Sequence, residues 1–187
     1  MSEKSKFPDR FITTQFDSYI KASEVEAVVE SLANTIEQKY AGQELYVICV
    51  LKGSMIFTAD LIRKLKTVKV YLDFVKLKAV GRDKESSGTI SFTKDISVNL
   101  QDKNVLIVEE IIDTGRALAF LKNRIMQSAP KSLEIISLFD KPYKRAVPIK
   151  ADFIGKKIDD QFIVGYGLDL EEYGRNLQDI YFLKYPN

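Results

Sequence analysis

The period of the apolar positions changes several times along the chain, and each change marks an element. Val25, Val28, Val29, Leu32 and Ile36 recur at the spacing of one helix face. Ser23 with Glu26 has the form of a capping box ahead of them, so a helix is expected from there to about Tyr40. "ELYVICVL" (44–51) is a continuous apolar run rich in β-branched residues, as in a strand covered on both faces. "SMIFTADLIRKL" (54–65) returns to helical spacing, and "VKVYLDFVKLK" (68–78) alternates as a strand with one wetter face. "AVGRDKESSGTISFT" (79–93) is polar and glycine-containing, and predicts a long functional loop. "NVLIVEE" (104–110), "GRALAFLKNRIMQS" (115–128) and "SLEIISLFD" (132–140) read as buried strand, helix and strand. This alternation predicts an α/β fold, a mainly parallel twisted sheet flanked by helices. "ADFIGKKI" and "QFIVGYGL", within about 150–187, are expected as shorter strands and loops of a small hood, to which the N-terminal segment also contributes.

At 187 residues the chain fits a single domain, 1–187, with no internal repeat or proline-rich linker. Lysine plus arginine is 28 against 26 acids, a formal charge of only +2. No field for nucleic acid or a membrane is implied, so a small-molecule partner is expected. No apolar run reaches the length of a membrane span, and "MSEKSKFPDR" has no apolar signal core, so a cytoplasmic protein is expected.

The absence of histidine narrows the chemistry: His triads, His general bases and His metal ligands are all excluded. Cys49 is the only cysteine. Within "LYVICVL" it reads as a small buried hydrophobe rather than a nucleophile, and a lone thiol makes neither an intramolecular disulfide nor a cysteine-ligated zinc site.

In such sheets ligands bind at the carboxyl ends of the strands, which is where "VLIVEEIIDTGRAL" (105–118) sets Glu109, Glu110 and Asp113 ahead of a Thr-Gly turn. A turn rich in backbone N–H groups that leads into a helix is a favourable seat for phosphate. Ionised carboxylates are wrong for phosphate but suit the vicinal hydroxyls of a sugar, because they only accept hydrogen bonds. A phosphorylated ribose satisfies both halves; the plainer alternative is a set of solvated loop acids.

"VLKGSMIFTADLIRKL" (50–65), "VKLK" (75–78), "NVLIVEEIIDTGRAL" (104–118), "SLFDKPYKRAV" (137–147) and "DFIGKKIDDQFIVGYGLDLEEYGRNL" (152–177) follow one another in an order and spacing that resemble the type I phosphoribosyltransferases. Within them, the lysine and "FIVGYGLD" resemble the 6-oxopurine branch. The resemblance covers most of the chain beyond residue 44. It implies transfer of the phosphoribosyl group from phosphoribosyl pyrophosphate to a purine nitrogen, with magnesium (Mg2+) bridging the pyrophosphate. The reacting centre is oxocarbenium-like and needs electrostatic help more than a nucleophile.

On the same resemblance, Asp113 is the proton acceptor at the purine ring, and Glu109 and Glu110 hold the ribose hydroxyls and hydrated magnesium. Thr114, Gly115, Arg116 and Ala117 cradle the 5′-phosphate, and Lys52, Gly53 and Arg175 contact pyrophosphate. The amide of the Lys52–Gly53 dipeptide is often cis in the family. Lys141 donates to the exocyclic purine oxygen, Phe162 stacks on the base, Ile163 offers main-chain groups to its edge, and Asp169 is a magnesium ligand. A homo-oligomer, dimer or tetramer, is implied as well.

The chain departs from the family pattern at the phosphoribosyl half. Ala79 and Val80 stand where the mobile loop carries Ser-Tyr, Glu110 replaces an aspartate, and Ala117 replaces a threonine. These departures keep open a purine-nucleotide-binding regulatory protein of the same fold. A phosphoacceptor receiver domain is a third reading, which predicts a shorter chain and no "FIVGYGLD" hood.

Overall fold

Val47, Ile48 and Cys49 have no exposed surface, because the strand that carries them is covered on both faces and flanked on both edges. In the computed structural model, which describes residues 16–80 and 89–183, that strand is β2 (Glu44–Leu51). It lies inside a six-stranded sheet with β3 (Lys69–Val80), β4 (Thr89–Lys94), β5 (Asn104–Ile112), β6 (Ser132–Asp140) and β7 (Phe153–Lys157), in the order β4-β3-β2-β5-β6-β7. All neighbours pair in parallel except β3 with β4. The α/β class expected from the alternation is the observed one.

Alternation along β5 divides the core in two. Leu106 and Val108 join Phe57 and Leu61 of α2 (Met55–Lys64) and Val29 and Ile36 of α1 (Ala22–Tyr40). Val105 and Ile107 join Leu118, Leu121 and Ile125 of α3 (Arg116–Met126) on the opposite face. Cys49 is buried with a free thiol, as its context predicted, and burial pushes its pKa up. Both chain ends supply a separate three-stranded antiparallel sheet, β1 (Phe16–Ile20), β9 (Ile180–Leu183) and β8 (Ile163–Val164). Among the described residues no helix is long and apolar enough to cross a membrane.

Three local expectations need correction. The run "ADFIGKKI", expected in the hood, supplies β7 of the main sheet, pairing Phe153 with Ile136 and Lys157 with Asp140. Gly155 makes this possible: a Cβ there would lie 2.6 Å from both the Leu138 carbonyl oxygen and Val28 of α1. The capping box fails as well, since α1 starts at Ala22 and leaves Ser23 inside its first turn. Its cap comes from far away, with Asp179 Oδ1 accepting from the Ala22 N–H at 2.7 Å. Finally, the two ends of 79–93 are strand rather than loop, because β3 runs on to Val80 and β4 pairs with it antiparallel from Thr89. Asp73 anchors that hairpin by accepting from Lys94 Nζ at 3.0 Å and the Ser97 N–H at 2.6 Å. The segment expected to close over pyrophosphate lies outside the described residues at 81–88, and so do the side chains of Ala79 and Val80.

Candidate active site

Parallel pairing brings the carboxyl ends of β2, β5 and β6 to one edge, so Lys52, Asp113 and Lys141 follow there from three different strands. The Leu51–Lys52 peptide is cis. Ser54 Oγ donates to the Val50 carbonyl at 2.6 Å and ties the Lys52–Gly53 turn to its strand.

Beyond β5, the chain turns at Asp113 and Thr114 and enters α3 through Gly115, whose φ is +79°. A Cβ there would stand 2.5 Å from Ile149 Cγ2, so both the backbone and the packing demand glycine. Arg145 Nη1 donates to the Asp113 carbonyl at 2.6 Å and its Nη2 pairs with Asp140, while the Ala146 N–H donates to the Thr114 carbonyl at 2.9 Å. The turn is thereby fastened to the segment after β6. Arg116 and Ala117 are exposed in the first turn of α3, where backbone N–H groups have no helical partner.

Asp113 opens onto a cavity of about 380 Å³ walled by Lys141, Lys144, Asp160, Phe162 and Asp169. Lys141 is only 6 % exposed; its Nζ donates to the Gln161 carbonyl at 2.6 Å and lies 3.4 Å from Asp160 and 3.8 Å from Asp113. Phe162 is 40 % exposed, unusually open for a large apolar ring, and faces this space, while the next residue, Ile163, is buried in β8. Asp113 Oδ1 is buried without a hydrogen-bond partner.

The two glutamates separate, because successive strand residues point to opposite faces. Glu109 remains partly exposed, yet the protein packed around its carboxyl raises its pKa to about 8. Glu110 is 1 % exposed and neither of its oxygens has a hydrogen-bond partner. A Cβ on Gly53 would lie 2.5 Å from Glu110 Oε2, and one on Gly167 would lie 2.7 and 2.8 Å from its two oxygens. Burial, then the neighbouring Glu109 charge, drive the pKa of Glu110 well above the ordinary range. The Glu110 carboxyl thus lies in the seam between the Gly53 turn and the Gly167 turn, buried and without a hydrogen-bond partner among the described residues.

On the far side of that seam, Arg175 Nη1 donates to the Gly167 carbonyl at 2.8 Å and its Nη2 pairs with Asp169 at 2.8 Å. Lys52 reaches across to Glu172 at 2.8 Å. Lys52, Arg175 and Asp169 are thus linked through Glu172 and one another along one wall. Sequence reasoning missed Lys144, Asp160, Arg145 and Glu172. The cluster "KPYKR" directly after a buried strand was the available signal for the two basic residues.

The family model "Phosphoribosyl transferase domain" matches residues 16–171. The hypoxanthine-guanine phosphoribosyltransferase of Aquifex aeolicus is 37 % identical over 166 residues, covering 88 % of this chain and 93 % of the relative. The chain belongs to the hypoxanthine-guanine phosphoribosyltransferase family. The enzyme of that name from Staphylococcus aureus strain Mu50 is also 37 % identical, over 86 % of this chain and 89 % of its own length. A crystal structure of the Bacillus anthracis hypoxanthine-guanine phosphoribosyltransferase superposes with a TM-score of 0.85 at 43 % identity, covering 90 % of this chain and 98 % of the other. That of a Staphylococcus aureus hypoxanthine phosphoribosyltransferase gives 0.86 at 35 % identity, over 91 % and 94 %. Membership of the hypoxanthine-guanine phosphoribosyltransferase family excludes the receiver-domain reading.

Proposed function

We propose that this protein transfers the phosphoribosyl group of phosphoribosyl pyrophosphate to hypoxanthine or guanine, with xanthine a further acceptor, giving the nucleotide and pyrophosphate. The observation that carries this reading is the position of Asp113, between the amino terminus of α3 and a cavity with Lys141 on its wall and Phe162 open to it. The purine stacks on Phe162 with its edge at the Ile163 main chain, and Lys141 donates to its exocyclic oxygen. An ammonium has no lone pair to offer the amino group of adenine, so adenine is refused. Asp113 takes the ring-nitrogen proton as the glycosidic bond forms at the sugar carbon and the pyrophosphate oxygen leaves with the electron pair. Thr114, Gly115, Arg116 and Ala117 hold the 5′-phosphate through first-turn N–H groups, and Glu109 accepts from the ribose hydroxyls. Lys52, Gly53 and Arg175 receive pyrophosphate.

Asp169, with Glu109 once it has released its proton, would hold magnesium. Two carboxylates suit magnesium, which takes one or two from a protein and its remaining oxygens from substrate and water. Magnesium held there would supply positive charge opposite the departing pyrophosphate. The small sheet β1-β9-β8 serves as the hood of a single phosphoribosyltransferase domain. A homo-oligomer and a cytoplasmic setting complete the proposal, the latter supported by the free buried Cys49.

The test is direct: incubate the protein with magnesium, phosphoribosyl pyrophosphate and one base at a time, and follow nucleotide absorbance. Turnover is expected with hypoxanthine and guanine and not with adenine. Tight nucleotide binding with no turnover of any base would establish the regulatory alternative instead.

A further inference from the structure

Leu170 and Tyr173 exchange backbone hydrogen bonds of 2.9 and 3.0 Å around a two-residue corner, Glu171 and Glu172. Both corner residues have positive φ, 50° and 71°. That is the signature of a type I′ turn, whose corners favour asparagine and glycine, and a glutamate there is held at a conformational cost. For Glu172 the side chain supplies a reason. Its Oε2 accepts from Lys52 Nζ at 2.8 Å and from Arg175 Nη2 at 3.1 Å, so one carboxylate bridges cations from two separate segments.

Packing does not hold it there. The Glu172 side chain is 62 % exposed and that of Lys52 47 %, so the pair is free to separate. Arg175 keeps its place without Glu172 through the Gly167 carbonyl and Asp169. The two cations bridged are also the two assigned above to pyrophosphate.

We infer that Glu172 is an internal counter-anion: its carboxylate occupies the contacts of Lys52 and Arg175 while the pyrophosphate group is absent, and pyrophosphate displaces it on binding. This inference rests on the reading of Lys52 and Arg175 as pyrophosphate contacts. Glu172 thereby lowers the affinity for the pyrophosphate end of the substrate and speeds departure of the product, because the displaced charge stays close and repels the anion. It is a residue that sets affinity, not a catalytic one.

The experiment is a calorimetric titration of magnesium pyrophosphate into the wild type, Glu172→Gln, Glu172→Gly and Lys52→Met. Both Glu172 variants are expected to bind about three- to tenfold more tightly, with the gain larger at low salt, as suits the loss of exposed ion pairs that compete with the ligand. The KM for hypoxanthine stays unchanged. Glu172→Gly keeps or raises the Tm, since glycine adopts the positive φ freely. A merely structural Glu172 gives the opposite pattern, a lower Tm and weaker pyrophosphate binding in both variants, and that outcome overturns the inference. If Lys52→Met loses affinity while the Glu172 variants gain none, the inference alone is overturned and the site reading stands. If Lys52→Met binds pyrophosphate as the wild type does, the reading of the site goes and the inference with it.

Discussion

Lys144 Nζ stands 3.0 Å from Asp113 and 3.0 Å from Asp160, so one ammonium ties the acid beyond β5 to the loop that precedes Phe162. Lys141 makes a second, looser bridge between the same two acids, at 3.8 and 3.4 Å. Burial works to lower the pKa of Lys144, but its hydrogen bonds to Asp113 and Asp160 outweigh that and raise it. Lys144 therefore stays charged at neutral pH and holds the Asp113 carboxylate in place before a base arrives.

Lys144→Met leaves Asp113 with Lys141 alone. Exposed pairs of this kind contribute up to ~1 kcal/mol, so kcat is expected to fall by no more than about fivefold. The KM for phosphoribosyl pyrophosphate should not move. Steady-state kinetics with each substrate varied in turn checks the split, and a raised phosphoribosyl pyrophosphate KM at constant kcat would contradict the assignment.

Lys141→Ala removes a charged donor that is itself buried at 6 % exposure. Losing such a hydrogen bond costs about 1.5–3 kcal/mol, or roughly 10- to 150-fold in affinity for hypoxanthine. Phosphoribosyl pyrophosphate affinity should be nearly unchanged. Equal losses for both ligands in equilibrium binding would remove Lys141 from the base pocket.

What the sequence made legible was local. The bounds of β6 at Ser132 and Asp140 coincide with the expected ones because a buried run there is bracketed by polar residues. The acids beyond β5 were legible because apolar strand, carboxylates and Thr-Gly turn are consecutive. What escaped depends on distant partners. The cap of α1 is Asp179, separated by 157 positions from Ala22, while a capping box is read from neighbours only. β7 is a short, half-buried run whose membership of the main sheet is decided by its pairing with β6. Glu110 looked like the twin of Glu109 until Gly53 and Gly167 closed over it, and Lys144 and Asp160 meet only across the cavity.

Stability should fall with rising pH through Glu109. Burial holds its folded pKa at about 8 against an ordinary 4.5, so the folded chain keeps a proton that the unfolded chain releases. Unfolding free energy then declines as pH rises from about 4.5 to about 8. In magnesium-free buffer, Glu109→Gln should lose less Tm across that window than the wild type. The difference is on the order of 1 kcal/mol once the part of the side chain left in water is allowed for. Parallel Tm curves for the two proteins would show that Glu109 ionises normally.

Ala117→Thr tests the phosphate cradle through a departure rather than a match. Ala117 is exposed in the first turn of α3, so a threonine meets no packing obstacle. Most of the stabilisation of the 5′-phosphate comes from N–H groups already present, and the hydroxyl adds one donor to an ionised acceptor. That is worth about 1.5 kcal/mol, roughly tenfold in phosphoribosyl pyrophosphate affinity. The hypoxanthine KM should scarcely move; a folded variant with unaltered affinity for both phosphoribosyl pyrophosphate and nucleotide would remove residues 114–117 from the phosphate site.

The central claim is that Asp113 accepts the purine proton while Lys141 and Phe162 hold the ring, and single-turnover kinetics of Asp113→Asn with hypoxanthine tests it most directly. The variant keeps the shape of the side chain but not its basicity. With phosphoribosyl pyrophosphate saturating and the circular dichroism spectrum unchanged, the rate of nucleotide formation should fall about 100-fold or more, the loss expected when a general base is removed. A rate within a few-fold of the wild type would contradict the account and assign the proton to another acceptor.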